Sequence, residues 1–454
     1  NSSTTGSTVT PGTITANGDP TASTDSPFDD PAGFVFGDAG DQNVIKCGSY
    51  VGNNSSTGPE IFLGNGWEPS FLIIKNITDS GSWMIFDSMR GIATGGYDPS
   101  LKADDNGEEY ASLDWLDLTP TGFKLKADNS HVNDNQTYLF LAIRRPDGYV
   151  GKPPSLGTGV FAMDTGNNGT TIPVFDSGFP VDFAFHRAIA STSTWFTGAR
   201  LIQGKYITTD GDNGEASSAN WVFDSNTGYS NDQKDSAWQS WMWKRHAGFD
   251  VVTFTGNGTA GHTLQHSLNA VPEMIWVKGR SVVERWIVGN KSLDGGTDPW
   301  THYLSLNRTD FSEADSPMFN DTAPTATHFT LGSHDYVNKN NGTFIAILFS
   351  SVEGISKVGS YTGNGSATER TITLGFQPRL LIVKNTTSSG TYWGLLDTVR
   401  GWGSGNDERL HPNINNAQDG NSNYGQPTSN GFTLTTTDGE WNGNNQTYIY
   451  YAHA

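Results

Sequence analysis

The chain has 454 residues, with 27 Lys+Arg against 47 Asp+Glu and a formal net charge of -20, which speaks against nucleic-acid binding through a basic surface. Only 16% of residues are charged and 35% are hydrophobic, while Gly occupies 54 positions, so the polar surface is built from Asn, Ser, Thr and Gly. No apolar run reaches the roughly 18 residues that membrane insertion needs, and the single cysteine, Cys47, excludes an intramolecular disulfide framework and a thiolate zinc cluster.

Residues 1–43 are rich in Ser, Thr, Gly, Asn, Pro and Asp without strand or helix periodicity, and read as an extended arm or linker. Phe28 and the Phe34-Val35-Phe36 cluster are its first apolar groups and can pin it to another surface. A start at Asn1 rather than Met implies further sequence upstream.

From residue 44 onward the chain repeats itself. Gly48-Ser49-Tyr50-Val51-Gly52-Asn53 returns as Gly359-Ser360-Tyr361-Thr362-Gly363-Asn364, and Phe71-Leu72-Ile73-Ile74-Lys75-Asn76 as Leu380-Leu381-Ile382-Val383-Lys384-Asn385. A third copy carries Met274-Ile275-Trp276-Val277-Lys278, and a divergent one lies around Phe179-Pro180-Val181-Asp182-Phe183-Ala184. The interval from a turn proline to the next tryptophan is held at 14, 15, 14 and 15 residues: Pro69 to Trp83, Pro180 to Trp195, Pro272 to Trp286 and Pro378 to Trp393. These matches set modules at 44–150, 151–247 (the divergent one), 248–354 and 355–454.

Within each module, short apolar runs such as Trp83-Met84-Ile85-Phe86 and Tyr138-Leu139-Phe140-Leu141-Ala142-Ile143 are bounded by Gly, Asn, Asp and Pro, and none carries a capped helical stripe. The expected fold is all-β: four tandem β-sandwich (jelly-roll-like) modules after the arm, strung as a spaced rod. Trp83, Trp195, Trp286 and Trp393 are expected to fill the sandwich cores, where truncation to Ala costs about 3 to 5 kcal/mol.

Candidate chemistry is sparse. Gly256-Asn257-Gly258-Thr259-Ala260-Gly261 matches a dinucleotide-binding pattern, but the alternating segment after it supplies no helix N-terminus, so it reads as a repeated hairpin turn. His262 and His266 share a strand face without a nearby carboxylate, which favours surface or interface histidines over a metal site. Asp210-Gly211-Asp212-Asn213-Gly214-Glu215 reads as a surface turn; structural Ca2+ is compatible with such loops but not indicated, and no cofactor is expected. Asp87…Arg90 and Asp397…Arg400 recur as module-internal ion pairs, and the nucleophile-elbow and metalloprotease patterns are missing, so the chain reads as non-enzymatic. Trp300 and Tyr97, loop aromatics outside the repeating skeleton, are the candidate ligand contacts.

The repeated phrases, together with Ile143-Arg144-Arg145-Pro146-Asp147-Gly148-Tyr149-Val150-Gly151-Lys152-Pro153 and Gln239-Ser240-Trp241-Met242-Trp243-Lys244-Arg245-His246, resemble the tandem modules of virion structural proteins from marine tailed bacteriophages, especially cyanophages. The resemblance implies a non-enzymatic structural protein, a tail fibre or surface appendage engaged in host attachment, exposed on the virion and assembled in the host cytoplasm. It further implies a homotrimer, contacts with other virion proteins, and a host cell-surface polysaccharide or protein receptor. The alternatives are a capsid-surface fibre or decoration protein, a polysaccharide depolymerase, and a bacterial adhesin or filament subunit.

Overall fold

Successive side chains of a strand point to opposite faces, so in residues 69–76 Leu72 and Ile74 face one way and Phe71 and Ile73 the other. Both sets are apolar, which asks for cover on two sides. A computed structural model describes residues 44–146 and 154–454, apart from Gln233, Ser316 and Ser404. The arm assigned to 1–43 and the boundary between 150 and 151 lie outside the described residues.

The described chain is nearly all β, as the sequence led us to expect, with a single short α-helix at Asp335–Asn338. The first of its sheet sets holds β1 (Ile45–Val51), β2 (Glu60–Phe62), β3 (Pro69–Asn76), β4 (Met84–Asp87), β5 (Leu101–Lys102), β6 (Leu116–Thr119), β7 (Gly122–Leu125) and β8 (Thr137–Arg144). They form a main sheet in the order β1-β8-β3-β4-β5 and a small sheet β2-β7-β6, all antiparallel. The same first-last-third-fourth order recurs in the main sheets built from Phe161–Thr165, Phe249–Thr255 and Ser356–Thr362 onward, each opposed by a small sheet of two or three strands. We call the four sets modules 1 to 4.

The inner faces pack as sandwiches: Leu72 and Ile74 with Ile61 and Phe123 in module 1, Ile275 and Val277 with Phe329 in module 3, Leu381 and Val383 with Phe432 in module 4. A buried asparagine ties down the crossing from first to second sheet. The backbone N–H of Asn53 donates to Asn133 Oδ1 (2.9 Å), that of Asn257 to Asn338 Oδ1 (2.9 Å) and that of Asn364 to Asn442 Oδ1 (3.0 Å). The preceding Gly52, Gly256 and Gly363 leave no room for a Cβ against the backbone of the segment carrying that asparagine. The Gly256–Gly261 segment is therefore a crossing between sheets and not the expected hairpin turn, because Phe249–Thr255 and His262–Gln265 pair in different sheets.

The outer faces correct the rod. Phe185, Trp241, Trp276, Ile347, Ile382 and Tyr451, drawn from modules 2, 3 and 4, belong to one shared hydrophobic core. Three indoles close the arrangement into a ring. Trp286 Nε1 of module 3 donates to the Thr208 carbonyl of module 2 (2.8 Å), Trp393 Nε1 of module 4 to Ser305 of module 3 (3.0 Å), and Trp195 Nε1 of module 2 to His411 of module 4 (2.8 Å). These three tryptophans are buried, but in the centre shared by the modules and not inside the individual sandwiches. Strands Met274–Gly279 and Leu380–Asn385 are accordingly buried at every residue.

Module 1 stays outside this ring. Trp83 is a correction to the expected core set: it is 44% exposed, because it lies on the outer face of the main sheet, which no sister module covers.

Candidate functional site

Two regions combine unusual chemistry with defined geometry, and both involve module 1. The first is its seat on the ring. Glu68 of module 1, Asp182, Arg200 and Arg245 of module 2 and Asp250 of module 3 meet Arg145 in a buried cluster of three acids and three arginines. Arg245 grips Glu68 with both terminal nitrogens, at 2.6 and 2.8 Å, and approaches Asp250 Oδ1 at 3.6 Å. Arg200 Nε donates to Asp182 Oδ1 at 3.2 Å, while the Arg245 backbone N–H donates to Asp182 Oδ2 at 2.7 Å. Burial, joined by the neighbouring Asp250 and Asp182 charges, pushes the Glu68 carboxyl up against the downward pull of Arg245 and Arg145. At Asp182 burial also pushes upward, yet the Arg245, Arg200 and Arg145 charges and the Arg245 backbone N–H together outweigh it and lower the carboxyl's pKa. Every carboxylate oxygen here has an arginine or backbone donor, including Asp250 Oδ2, which accepts from the Ser267 N–H at 2.7 Å. The cluster is a brace without a free base.

The loop from Gly91 to Asp98 completes this seat. Asp98 is buried and accepts backbone N–H groups from Ala93 (3.1 Å), Trp115 (2.7 Å) and Leu116 (2.9 Å), and burial pushes its carboxyl well above the usual carboxylate range. Thr94 then reaches the ring, its N–H donating to the Leu201 carbonyl (2.8 Å) and its own carbonyl accepting from Arg280 Nη2 (2.8 Å). Tyr97 rides on this loop at 68% exposure, so the structure leaves it open to a ligand.

The second region is a cleft of about 360 Å3 beside β4 and β5. Ser100 and Tyr110 exchange backbone hydrogen bonds (2.9 and 3.0 Å), which holds the Tyr110 ring at the mouth, 47% exposed. That ring stands edge-on to the buried Trp115 at 6.2 Å, and Trp115 in turn rests on Phe86 at 5.9 Å. Lys102, Asp105, Glu108, Asn129 and His131 supply the rim. His131 Nδ1 accepts the Ser82 N–H at 3.0 Å, which leaves the proton of the neutral ring on Nε2; burial and then Lys102 lower its pKa and favour that neutral form. An aromatic wall with carboxylate, amide and ammonium groups around it suits a hydroxyl-rich ring that stacks on one face and hydrogen-bonds at its edge.

The other candidates resolve differently. Trp300, expected as an exposed ligand contact, is 6% exposed: it packs edge-on against Phe319 at 5.5 Å over Gly289, as part of the module 3 core. His266, expected at the surface or an interface, is buried, its Nε2 at 3.2 Å from the Thr325 carbonyl, while His262 is half-buried with Nδ1 at 2.9 Å from Asn338 Oδ1. The Asp210–Glu215 turn is committed to the module 2–3 junction, where Glu215 meets Arg280 Nε at 2.7 Å and Asp212 meets Arg308 at 2.5 Å. Asp87 and Asp397 each hold the arginine three residues on, both at 2.6 Å. Among the described residues no group of three or more His, Cys, Asp or Glu side chains could hold a metal ion.

Sequence reasoning missed the cleft, since Tyr110 and Trp115 sit outside the repeated phrases that guided the reading. It also missed the brace, whose Glu68 and Arg245 are 177 residues apart. The only usable signal was the charge of buried-strand neighbours: Glu68 directly precedes the turn proline, and Arg245 stands two residues after an aromatic strand.

The chain belongs to the family described as a domain of unknown function, DUF7483, which it matches over residues 7–145 and 166–454. No curated protein and no solved structure matches it.

Proposed function

We propose that this protein is a non-enzymatic structural component of a bacteriophage particle, a tail fibre or surface appendage that contributes to host-surface attachment through a carbohydrate-binding cleft in module 1. The observation that carries the binding part is the Tyr110–Trp115 wall with its polar rim, held on a module whose buried charges are spent in bracing. The phage assignment rests on the sequence resemblance, and the rigid, disulfide-free β scaffold is consistent with it.

Binding is tested with purified protein and host-envelope polysaccharide. Tyr110→Ala is expected to weaken binding at least tenfold while leaving the melting profile unchanged, since the ring is already half in solvent. Equal binding by both proteins would remove the cleft from the account. An antibody against the chain is expected to label phage tails; label on heads alone would turn the reading to a decoration protein, and absence from particles would overturn it. Release of reducing ends from the polysaccharide would overturn the non-enzymatic part.

A further inference from the structure

Module 1 has the face with which its sisters build the ring, and nothing among the described residues lies on it. Ile73, Trp83, Leu139 and Leu141 occupy the positions that Trp276, Trp286, Ile345 and Ile347 hold in module 3: Ile73 pairs with Leu141 as Trp276 pairs with Ile347. In module 3 all four are buried, whereas in module 1 they are half-buried or exposed. Strand β1 alternates exposed and half-buried residues, with Ile45, Cys47 and Val51 on its open side. An antiparallel sheet that faces water on one side ordinarily carries polar side chains there, and a contiguous apolar face marks an interaction surface.

The local geometry of the ring contact is also complete in module 1. In every module an Asp or Asn side chain fixes the ring tryptophan by accepting its backbone N–H: Asp104 for Trp83 (3.1 Å), Asp210 for Trp195 (3.4 Å), Asn307 for Trp286 (3.1 Å) and Asn413 for Trp393 (3.1 Å). Two residues before these Asp and Asn residues stand Thr208, Ser305 and His411, whose carbonyls accept the neighbouring indoles. The module 1 counterpart is Lys102, which opposes Met84 as Thr208 opposes Phe196 and Ser305 opposes Ile287. Donor, acceptor and apolar face are thus all present on one module, and the ring of modules 2–4 shows which packing they make.

We propose that three copies of this chain associate through their module 1 faces, repeating between chains the ring that modules 2, 3 and 4 make within one, with each Trp83 indole donating to the Lys102 carbonyl of the next copy. The occupant is a further copy of the same face, because the structure shows this face type packed against its own kind three times over. The inference rests on that packing and not on the attachment reading, so either can fail alone.

Light scattering on the full chain is expected to give three times 49.0 kDa. Ile73→Glu and, separately, Leu139→Glu, both on the outward side of their strands, are expected to give a folded 49.0 kDa monomer with the sheet signature of the parent. Cys47, on the same face, gives a second readout: its reaction with a soluble maleimide is expected to be at least tenfold slower in the parent than in either variant. A monomeric parent would overturn the proposal, as would a trimer that survives both glutamates. A monomer with a protected Cys47 would also overturn it, placing some other part of the chain on the face.

Discussion

Truncating Trp393 separates a shared core from a string of independent beads. Its indole is buried among modules 2, 3 and 4 and its N–H meets the Ser305 carbonyl at 3.0 Å, so Trp393→Ala should cost about 3 to 5 kcal/mol. The temperature shift depends on how much chain melts with it. If residues 161–453 unfold as one unit, an unfolding entropy of about 2.1 cal/mol/K per residue gives about 0.6 kcal/mol/K and a shift of about 5 to 8 °C. If module 4 melts alone, about 100 residues carry the same loss and its own transition falls by about 14 to 24 °C, leaving the others in place. Scanning calorimetry is expected to show the first pattern, a single large transition displaced as a whole. Trp393→Phe keeps most of the ring volume but orphans the Ser305 carbonyl, for about 1 to 3 kcal/mol and a shift of about 2 to 5 °C. A separate module 4 peak that moves by itself would refute the reasoning.

His186 is buried, stacked on Trp221 at 4.7 Å and hydrogen-bonded to the Tyr229 hydroxyl at 2.8 Å, and burial, then Lys234, lowers its pKa from 6.5 to about 3. Its neutral form therefore contributes stability that is whole above pH 6.5 and lost as pH falls toward about 3. His186→Phe should flatten that loss, read as a smaller drop in urea midpoint between about pH 7 and about pH 4.5; an unchanged drop would exclude His186 as a source. Arg245→Met removes the bidentate partner of Glu68 and leaves a buried acid excess, so about 3 to 5 kcal/mol should disappear from the denaturant curve; a change under about 1 kcal/mol would mean the brace is slack.

Much of the scaffold was readable because short β-branched and aromatic runs bounded by turn residues report strands directly. The apolar run 71–74 and the proline-to-tryptophan interval reappear in the structure as β3, β4 and their sister strands. Patterning also reveals that both faces of β3 are apolar, but not what covers the second face. A tryptophan packed inside its own sandwich and one packed into a neighbour read identically, which is why the rod expectation failed at Trp195, Trp286 and Trp393. Trp300 was misjudged for a related reason: a loop aromatic counts as exposed until a partner with room for it is found. Gly289, inside the strand Ile287–Asn290, was the available sign, since a strand glycine often marks close approach of another group. The recurring Asn133, Asn338 and Asn442 were equally visible in the sequence, yet Asn is so common here that its buried copies are indistinguishable from turn residues without coordinates.

The ring of modules 2, 3 and 4 closes within a single polypeptide, with only residues 244–248 and 350–355 between consecutive main sheets. Short tethers of this kind hold neighbours at effective concentrations in the millimolar range, so the ring survives any dilution of the chain. An assembly between chains obeys mass action instead and dissolves when protomers become scarce. Tethering also frees the three positions from identity. Three equal subunits would have to share every substitution, whereas here module 2 has traded the Leu72-Ile73-Ile74 type of strand for Ala184-Phe185-His186 while modules 3 and 4 kept theirs. A threefold frame is thereby given three different exteriors by one gene product.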